Sequence, residues 1–204
     1  FRRTTAAIEA RDRFDSMGAI ESVRVTLDRP PHARSVGALL FDAIDTTTWL
    51  LGEPELTHAA ARVADQSGNP NAALRVRIGS IAALMRTGDG RFAQISVCDT
   101  AGRDAAEVVI HGAHGVMRIT HHGFDLRDRR GKLIDSLEND PAGATDLKPW
   151  QTRIGASLKR IASGSDEGRV DVDTVLCTCG AIMLSARTGT AESPATIRRA
   201  LSGA

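Results

Sequence analysis

The sequence predicts an α+β fold in which one large, mostly antiparallel, open-faced sheet carries its helices on a single face. The hydrophobic pattern runs in the order helix, strand, helix, then a long series of strands, then two helices. The strands follow one another through short turns, and this favours antiparallel pairing because a parallel connection needs a long crossover. A length of 204 residues fits one domain, which we assign to residues 1–204.

The first part of the chain predicts two helices separated by a strand. Residues 4–17 form the first helix, because apolar side chains recur every three or four positions and Gly18 can end it. Residues 19–27 alternate in polarity and predict a strand. A second helix is expected at residues 36–51, where Ser35 can cap it after a loop that two prolines stiffen.

From about residue 56 the apolar period changes to two, which predicts a series of strands. We expect these strands at residues 56–64, 73–78, 81–87, 92–98, 106–110, 116–120 and 124–127. Residues 136–148 are polar and predict a loop, and helices follow at 149–162 and 172–187. Some strands carry apolar residues on both faces, so we expect a homodimer through the open face of the sheet.

Composition excludes several function classes. The net charge of +1 and an aromatic content of five Phe and two Trp argue against a nucleic-acid surface with stacking platforms. No apolar stretch reaches the roughly 20 residues that span a bilayer, so no membrane partner is expected. Three cysteines without a disulfide spacing and the lack of a signal peptide predict a cytoplasmic protein. The chain begins with Phe1 rather than Met, which predicts a piece of a longer protein.

Several short strings occur in the order that one enzyme family shows. They are Phe1-Arg2-Arg3 before the first helix, DAID leading to WLLG at residues 42–52, IAALMR with AQISV, IHG with GVMRI, and SARTG at residues 185–189. Together they resemble the C-terminal domain of the glucose-fructose oxidoreductase / inositol dehydrogenase (Gfo/Idh/MocA) family. The resemblance covers nearly the whole chain and implies the dihydrodipicolinate-reductase-like fold of that domain.

The resemblance implies a two-domain oxidoreductase that depends on NAD or NADP and acts on a sugar, a polyol or a related hydroxy or carbonyl compound. An N-terminal Rossmann domain would bind the cofactor and carry the catalytic lysine, and this segment would contact the small-molecule substrate. No strand followed by GxGxxG occurs in residues 1–204. We therefore expect the cofactor site outside this chain, and the segment alone to be inactive.

The second helix carries the candidate catalytic residues. Asp42, Asp45 and Trp49 lie at positions i, i+3 and i+7, so they share one face of a helix that is otherwise apolar. Carboxylates on a largely buried helix need a partner or a cleft, although a solvated polar stripe explains the same pattern. The resemblance favours the cleft, so we assign Asp42 and Asp45 as catalytic candidates and Trp49 as a substrate-binding candidate.

Asp42 departs from the family pattern. The dehydrogenases of this family usually carry DxGxHxxD, and aligned on WLLG these positions hold Ala38, Leu40, Asp42 and Asp45. An imidazole exchanges a proton near pH 6.5, and half-protonating an aspartate at neutral pH would cost roughly 4 kcal/mol. Two hypotheses stay open. In one, Asp42 or Asp45 binds substrate hydroxyls in an active oxidoreductase; in the other, the domain is a catalytically silent binding or assembly domain.

The loop before this helix supplies further substrate-binding candidates. Arg29, His32 and Arg34 can bind a carboxylate or a phosphate, although exposed loop charges explain them equally well. The histidines of residues 111–122 lack the spacing of metal ligands, so no metal site is expected.

Overall fold

The computed structural model describes residues 1, 4–31, 34–64, 68–69, 78–138 and 170–203. In chain order these residues form α1 (Thr5–Arg11), α2 (Phe14–Met17), β1 (Ile20–Asp28), α3 (Val36–Leu51), β2 (Leu56–Ala64), β3 (Ile78–Arg86), β4 (Phe92–Cys98), β5 (Ala105–Gly112), β6 (Gly115–Thr120), β7 (Gly123–Asp128), β8 (Leu133–Glu138), α4 (Val172–Thr188) and α5 (Pro194–Ser202).

The eight strands form one mixed sheet in the order β2-β3-β4-β1-β5-β6-β7-β8. Among the described strands, β1 and β4 pair in parallel and the other neighbours are antiparallel. The parallel pair arises because β1 lies between β4 and β5, and the chain must cross over through α3, β2 and β3 before it returns as β4. The α+β fold with a large, mostly antiparallel sheet is confirmed.

The described helices that contact the sheet lie on the same face of it. The α3 helix covers β1 and β4, α4 covers β2, and α1 covers β6 and β7. In the middle of this face Val25 pairs with Ile95 and Val108, and all three side chains are fully buried. Burial of this apolar layer supplies most of the free energy that holds the helices on the sheet.

The bounds of three predicted elements agree with the structure residue for residue. They are α3, β2 and β4. The α3 helix begins after Ser35, whose side chain accepts a hydrogen bond from the N–H of Ala38, and it ends at Gly52 with φ 84°. Cap residues and hydrophobic period therefore defined this helix correctly.

Three parts of the sheet and helix layer differ from the prediction. The helix α5 was not among the predicted elements. The first helix is divided into α1 and α2 at residues 12–13. The expected loop at residues 136–148 begins inside β8, an exposed edge strand whose sequence LIDSLE lacks a clean alternation. The expected helix at residues 149–162 and most of the expected strand at residues 73–78 lie outside the described residues.

Within the described ranges, no helix is long and apolar enough to cross a membrane. The same part of the chain brings together no group of three or more side chains suited to hold a metal ion.

Candidate functional site

The face of α3 that points away from the sheet carries the candidate carboxylates. Asp42, Asp45 and Trp49 are each partly exposed, whereas Leu40 on the opposite side of the helix is fully buried. The helix is anchored by its apolar side, so its polar side is held in a fixed orientation. The three predicted residues thus share one partly accessible surface.

Asp42 forms an ion pair with Arg34. Arg34 lies directly before the capping residue of α3, and Asp42 lies in the second turn of the helix. The side chain of Asp42 is 26% exposed and that of Arg34 is 45% exposed, so the pair lies at the surface rather than inside the core. A carboxylate that is paired with a guanidinium still offers lone pairs to further donors. The contact therefore leaves Asp42 able to act as a hydrogen-bond acceptor in a binding role.

Trp49 at the other end of the face packs against Phe14 of α2. The two ring centroids lie 5.7 Å apart with a tilt of 51°, and both rings contact the hydrophobic core. Tilted aromatic pairs of this kind stabilise packing beyond their buried area. Part of Trp49 therefore joins α2 to α3, and its exposed part remains next to Asp45 on the helix surface.

Arg29 at the end of β1 is held by protein groups. Its side chain is 13% exposed, and one Nη pairs with Asp104 and donates to the carbonyl of Asp28 at 3.2 Å. The other Nη lies 2.9 Å from Nε2 of His121 in the turn between β6 and β7. The guanidinium therefore joins three segments at this end of the sheet, which favours a supporting role over the predicted direct contact with substrate.

His121 accepts from Arg29, because a guanidinium has only donors. Its ring is therefore neutral and carries its proton on Nδ1. Desolvation of the ring lowers the pKa of His121 below 6.5, and the charge of Arg29 lowers it further. The ring of Phe1 also lies against His121, with centroids 6.1 Å apart.

The remaining predicted residue, His32, lies outside the described residues. The structure thus joins Arg34 to Asp42, places Asp45 and Trp49 on the same helix face, and holds Arg29 in a separate cluster with Asp104 and His121.

Asp99, directly after β4, was not predicted from the sequence. It is 2% exposed, and its carboxylate accepts the N–H of Val36 at 2.8 Å and the N–H of Gly79 at 2.7 Å. The only signal was one acidic residue after an apolar strand, which is too common to single out. Its partners lie far along the chain, so periodicity does not reveal them.

Solved structures share this fold, although no family model and no curated protein matches the sequence. Levoglucosan dehydrogenase in complex with NADH and L-sorbose has a TM-score of 0.74 and 18% identity, over 96% of this chain and 65% of that one. An oxidoreductase from Agrobacterium radiobacter in complex with NAD+, L-tartaric acid and magnesium has a TM-score of 0.70 and 16% identity, over 97% and 64%. An NAD-binding oxidoreductase from Klebsiella pneumoniae has a TM-score of 0.66 and 15% identity, over 94% and 64%.

The TM-scores show that the chain shares the fold of these structures, and at such low identities they show the fold alone. This fold agrees with the one that the resemblance to the Gfo/Idh/MocA family implies. The chain spans less than two thirds of the length of each of these structures.

Proposed function

We propose that this chain is the substrate-binding and dimer-forming domain of an NAD- or NADP-dependent oxidoreductase of the Gfo/Idh/MocA family. The observation that carries the proposal is the likeness of fold, over at least 94% of the chain, to oxidoreductases solved with NADH or NAD+. The cofactor would be bound by an N-terminal Rossmann domain outside residues 1–204 and would supply hydride transfer when bound. The three free cysteines suit the cytoplasm, a reducing compartment.

The substrate of this enzyme is a sugar, a polyol or a related hydroxy or carbonyl compound. Asp42 and Asp45 accept hydroxyl hydrogen bonds, and an ionised carboxylate accepts several of them at once. Arg34 uses one Nη for Asp42 and can present its remaining donors to the substrate. The exposed part of Trp49 offers an apolar surface at the far end of the face. Proton transfer falls to a lysine of the nucleotide-binding domain, since Asp42 replaces the family's histidine.

The partner on the open face of the sheet is a second copy of this chain. Leu84 and Phe92 on neighbouring strands are both more than half exposed there. Beside them Glu107 pairs with Arg24 and Arg118, so both signs of charge lie on the same surface. A surface that carries both signs of charge can pair with a second copy of itself across a two-fold axis, as a homodimer requires.

A catalytically silent binding or assembly domain is the second candidate. The observation that favours it is the ion pair of Asp42 with Arg34, at the position where the family's dehydrogenases usually carry histidine. In this case the fold is retained but hydride transfer is lost.

Turnover by the encoded full-length protein separates the two candidates. The protein is incubated with NAD+ or NADP+ and a panel of sugars, inositols and aldehydes. Its midpoint of thermal unfolding is measured with and without the NAD(P) cofactor. Turnover of any member of the panel supports the oxidoreductase. Stabilisation of the protein by the NAD(P) cofactor without turnover favours the silent domain. The lack of both effects contradicts the proposed function.

A further inference from the structure

Two charged residues on either side of β4 hold the two ends of α3. Asp99 directly follows β4, and its Oδ2 accepts the N–H of Val36, the first residue of α3, at 2.8 Å. Arg91 directly precedes β4, and its Nη2 donates to the carbonyl of Leu51, the last residue of α3, at 3.0 Å. The two residues that flank β4 therefore contact both termini of the helix that carries the candidate carboxylates.

The signs of these two charges match the dipole of α3. A carboxylate at the N-terminus and a guanidinium at the C-terminus are each favourable, because the helix ends carry partial positive and negative charge. Asp99 is shielded from solvent, and its second oxygen binds Gly79, so it also ties α3 to the start of β3. Arg91 is held in turn by Asp89, whose Oδ2 accepts from Nε at 2.7 Å.

The lengths of the two elements allow both contacts at once. The eight steps from Arg91 to Asp99 extend about 26 Å at roughly 3.3 Å per residue. The 16 residues of α3 extend about 24 Å at roughly 1.5 Å per residue. Two contacts at opposite ends of a rigid helix oppose its sliding along the sheet in either direction.

We propose that Asp99 and Arg91 are positioning residues that set the axial position of α3 and thereby the place where Asp42 and Asp45 meet the substrate. Asp42 is six residues from one clamped end and Asp45 is six residues from the other, about 9 Å in each case. Each contact thus acts within two turns of one carboxylate. The inference rests on the proposed function only in that α3 carries the substrate site.

The test compares variants of the encoded full-length protein by hydrogen exchange and steady-state kinetics. Asp99→Asn leaves an amide that cannot accept both backbone N–H groups, and Arg91→Gln removes the cation at Leu51. The conservative variant Arg91→Lys retains a cation. Matched controls are Asp135→Asn and Arg13→Gln, the two halves of a half-exposed ion pair at 2.7 Å that does not include α3.

In Asp99→Asn we expect amide hydrogen exchange in the first turn of α3 to become about tenfold faster. In Arg91→Gln we expect the same increase in the exchange rate of the last turn. The KM for the sugar or polyol rises about five- to tenfold in both variants, while the KM for the NAD(P) cofactor is unchanged. In Arg91→Lys the exchange rate of the last turn and the substrate KM return most of the way to the wild-type values. A purely structural role would lower the amount of active protein without moving either KM.

Two results overturn the inference: α3 exchange equal to that of the controls, or faster exchange with an unchanged substrate KM. If Asp99→Asn does not fold, Arg91→Gln and Arg91→Lys still decide it at the other end. A wild-type protein with neither turnover nor stabilisation by the nicotinamide cofactor contradicts the proposed function, and the exchange pattern alone then decides whether the two residues fix the ends of α3.

Discussion

The two faces of the sheet are built from the same strands but present opposite surfaces. On β4, Ile95 points into the helix layer and is fully buried, whereas its neighbour Gln94 is exposed. On β1, Val25 and Arg24 divide in the same way. Alternation along a strand thus lets one face hold the fold together while the other stays available for a partner. Substitutions on the covered face should therefore change stability, and those on the open face should change assembly.

The largest effect is expected from Ile95→Ala on the covered face. The side chain is fully buried in the centre of the sheet, and its removal leaves a cavity beneath α3. We expect a loss of about 3 kcal/mol in the free energy of unfolding, measured by urea denaturation. Gln94→Ala on the open face is the control and should change stability by less than about 0.5 kcal/mol. Equal losses in the two variants would contradict the assignment of the faces.

The next effect concerns assembly through the open face. Leu84 on β3 and Leu176 on α4 are 55% and 54% exposed, on opposite sides of the molecule. Leu84→Arg places a charge in the proposed dimer interface and should convert dimer to monomer in sedimentation experiments. Leu176→Arg is the matched control and should leave the dimer intact. Dissociation by Leu176→Arg alone would place the interface on the helix side instead.

A third prediction uses the cysteines to probe access to the two faces. Cys98 lies on the open face and is half-buried, whereas Cys177 and Cys179 are buried in α4. Burial raises the pKa of Cys179 to about 12, so its reactive thiolate is scarce in the native state. In the monomeric Leu84→Arg variant a thiol reagent should therefore modify Cys98 first, and mass spectrometry of peptides reports the site. Rapid modification of Cys179 would show that α4 opens readily.

The smallest expected effect is a pH dependence at the end of the sheet. The pKa of His121 is lowered in the folded state, so between that value and about pH 6.5 the unfolded chain binds more protons. The contribution of His121 to stability is therefore complete above about pH 6.5 and is lost as the pH falls through its folded pKa.

The variant His121→Gln isolates this contribution. A glutamine oxygen can still accept from Arg29 but does not titrate. From about pH 7.5 to about pH 5 the wild-type protein should lose more unfolding free energy than the variant. Identical losses would show that His121 does not carry this pH dependence.

The sequence was sufficient for elements with clear local signals. The α3 helix has a capping serine, a terminal glycine and a continuous apolar side, and its bounds were predicted correctly. The strand β8 was missed because an edge strand contributes little to the core and lacks the alternating pattern of a buried one. Tertiary pairing with β7 defines it instead.

The site was predictable only as far as it lies on one helix. Helical spacing placed Asp42, Asp45 and Trp49 on a common face. The contact of Asp99 with Val36 joins residues 63 positions apart, and no local pattern encodes such a contact. The same limit applies to Arg29 and His121, which meet only because β1 and the turn after β6 end on the same side of the sheet.

Kinetics of Asp42→Asn and Asp45→Asn in the encoded full-length protein test the central claim most directly. If the polar face of α3 binds the substrate of an NAD(P)-dependent reaction, each variant should lower kcat/KM for the sugar or polyol at least about tenfold. The affinity for the NAD(P) cofactor should stay the same. Asp135→Asn on the edge strand β8, a half-exposed carboxylate far from α3, should behave as wild type. Unchanged kcat/KM in both α3 variants would contradict the account.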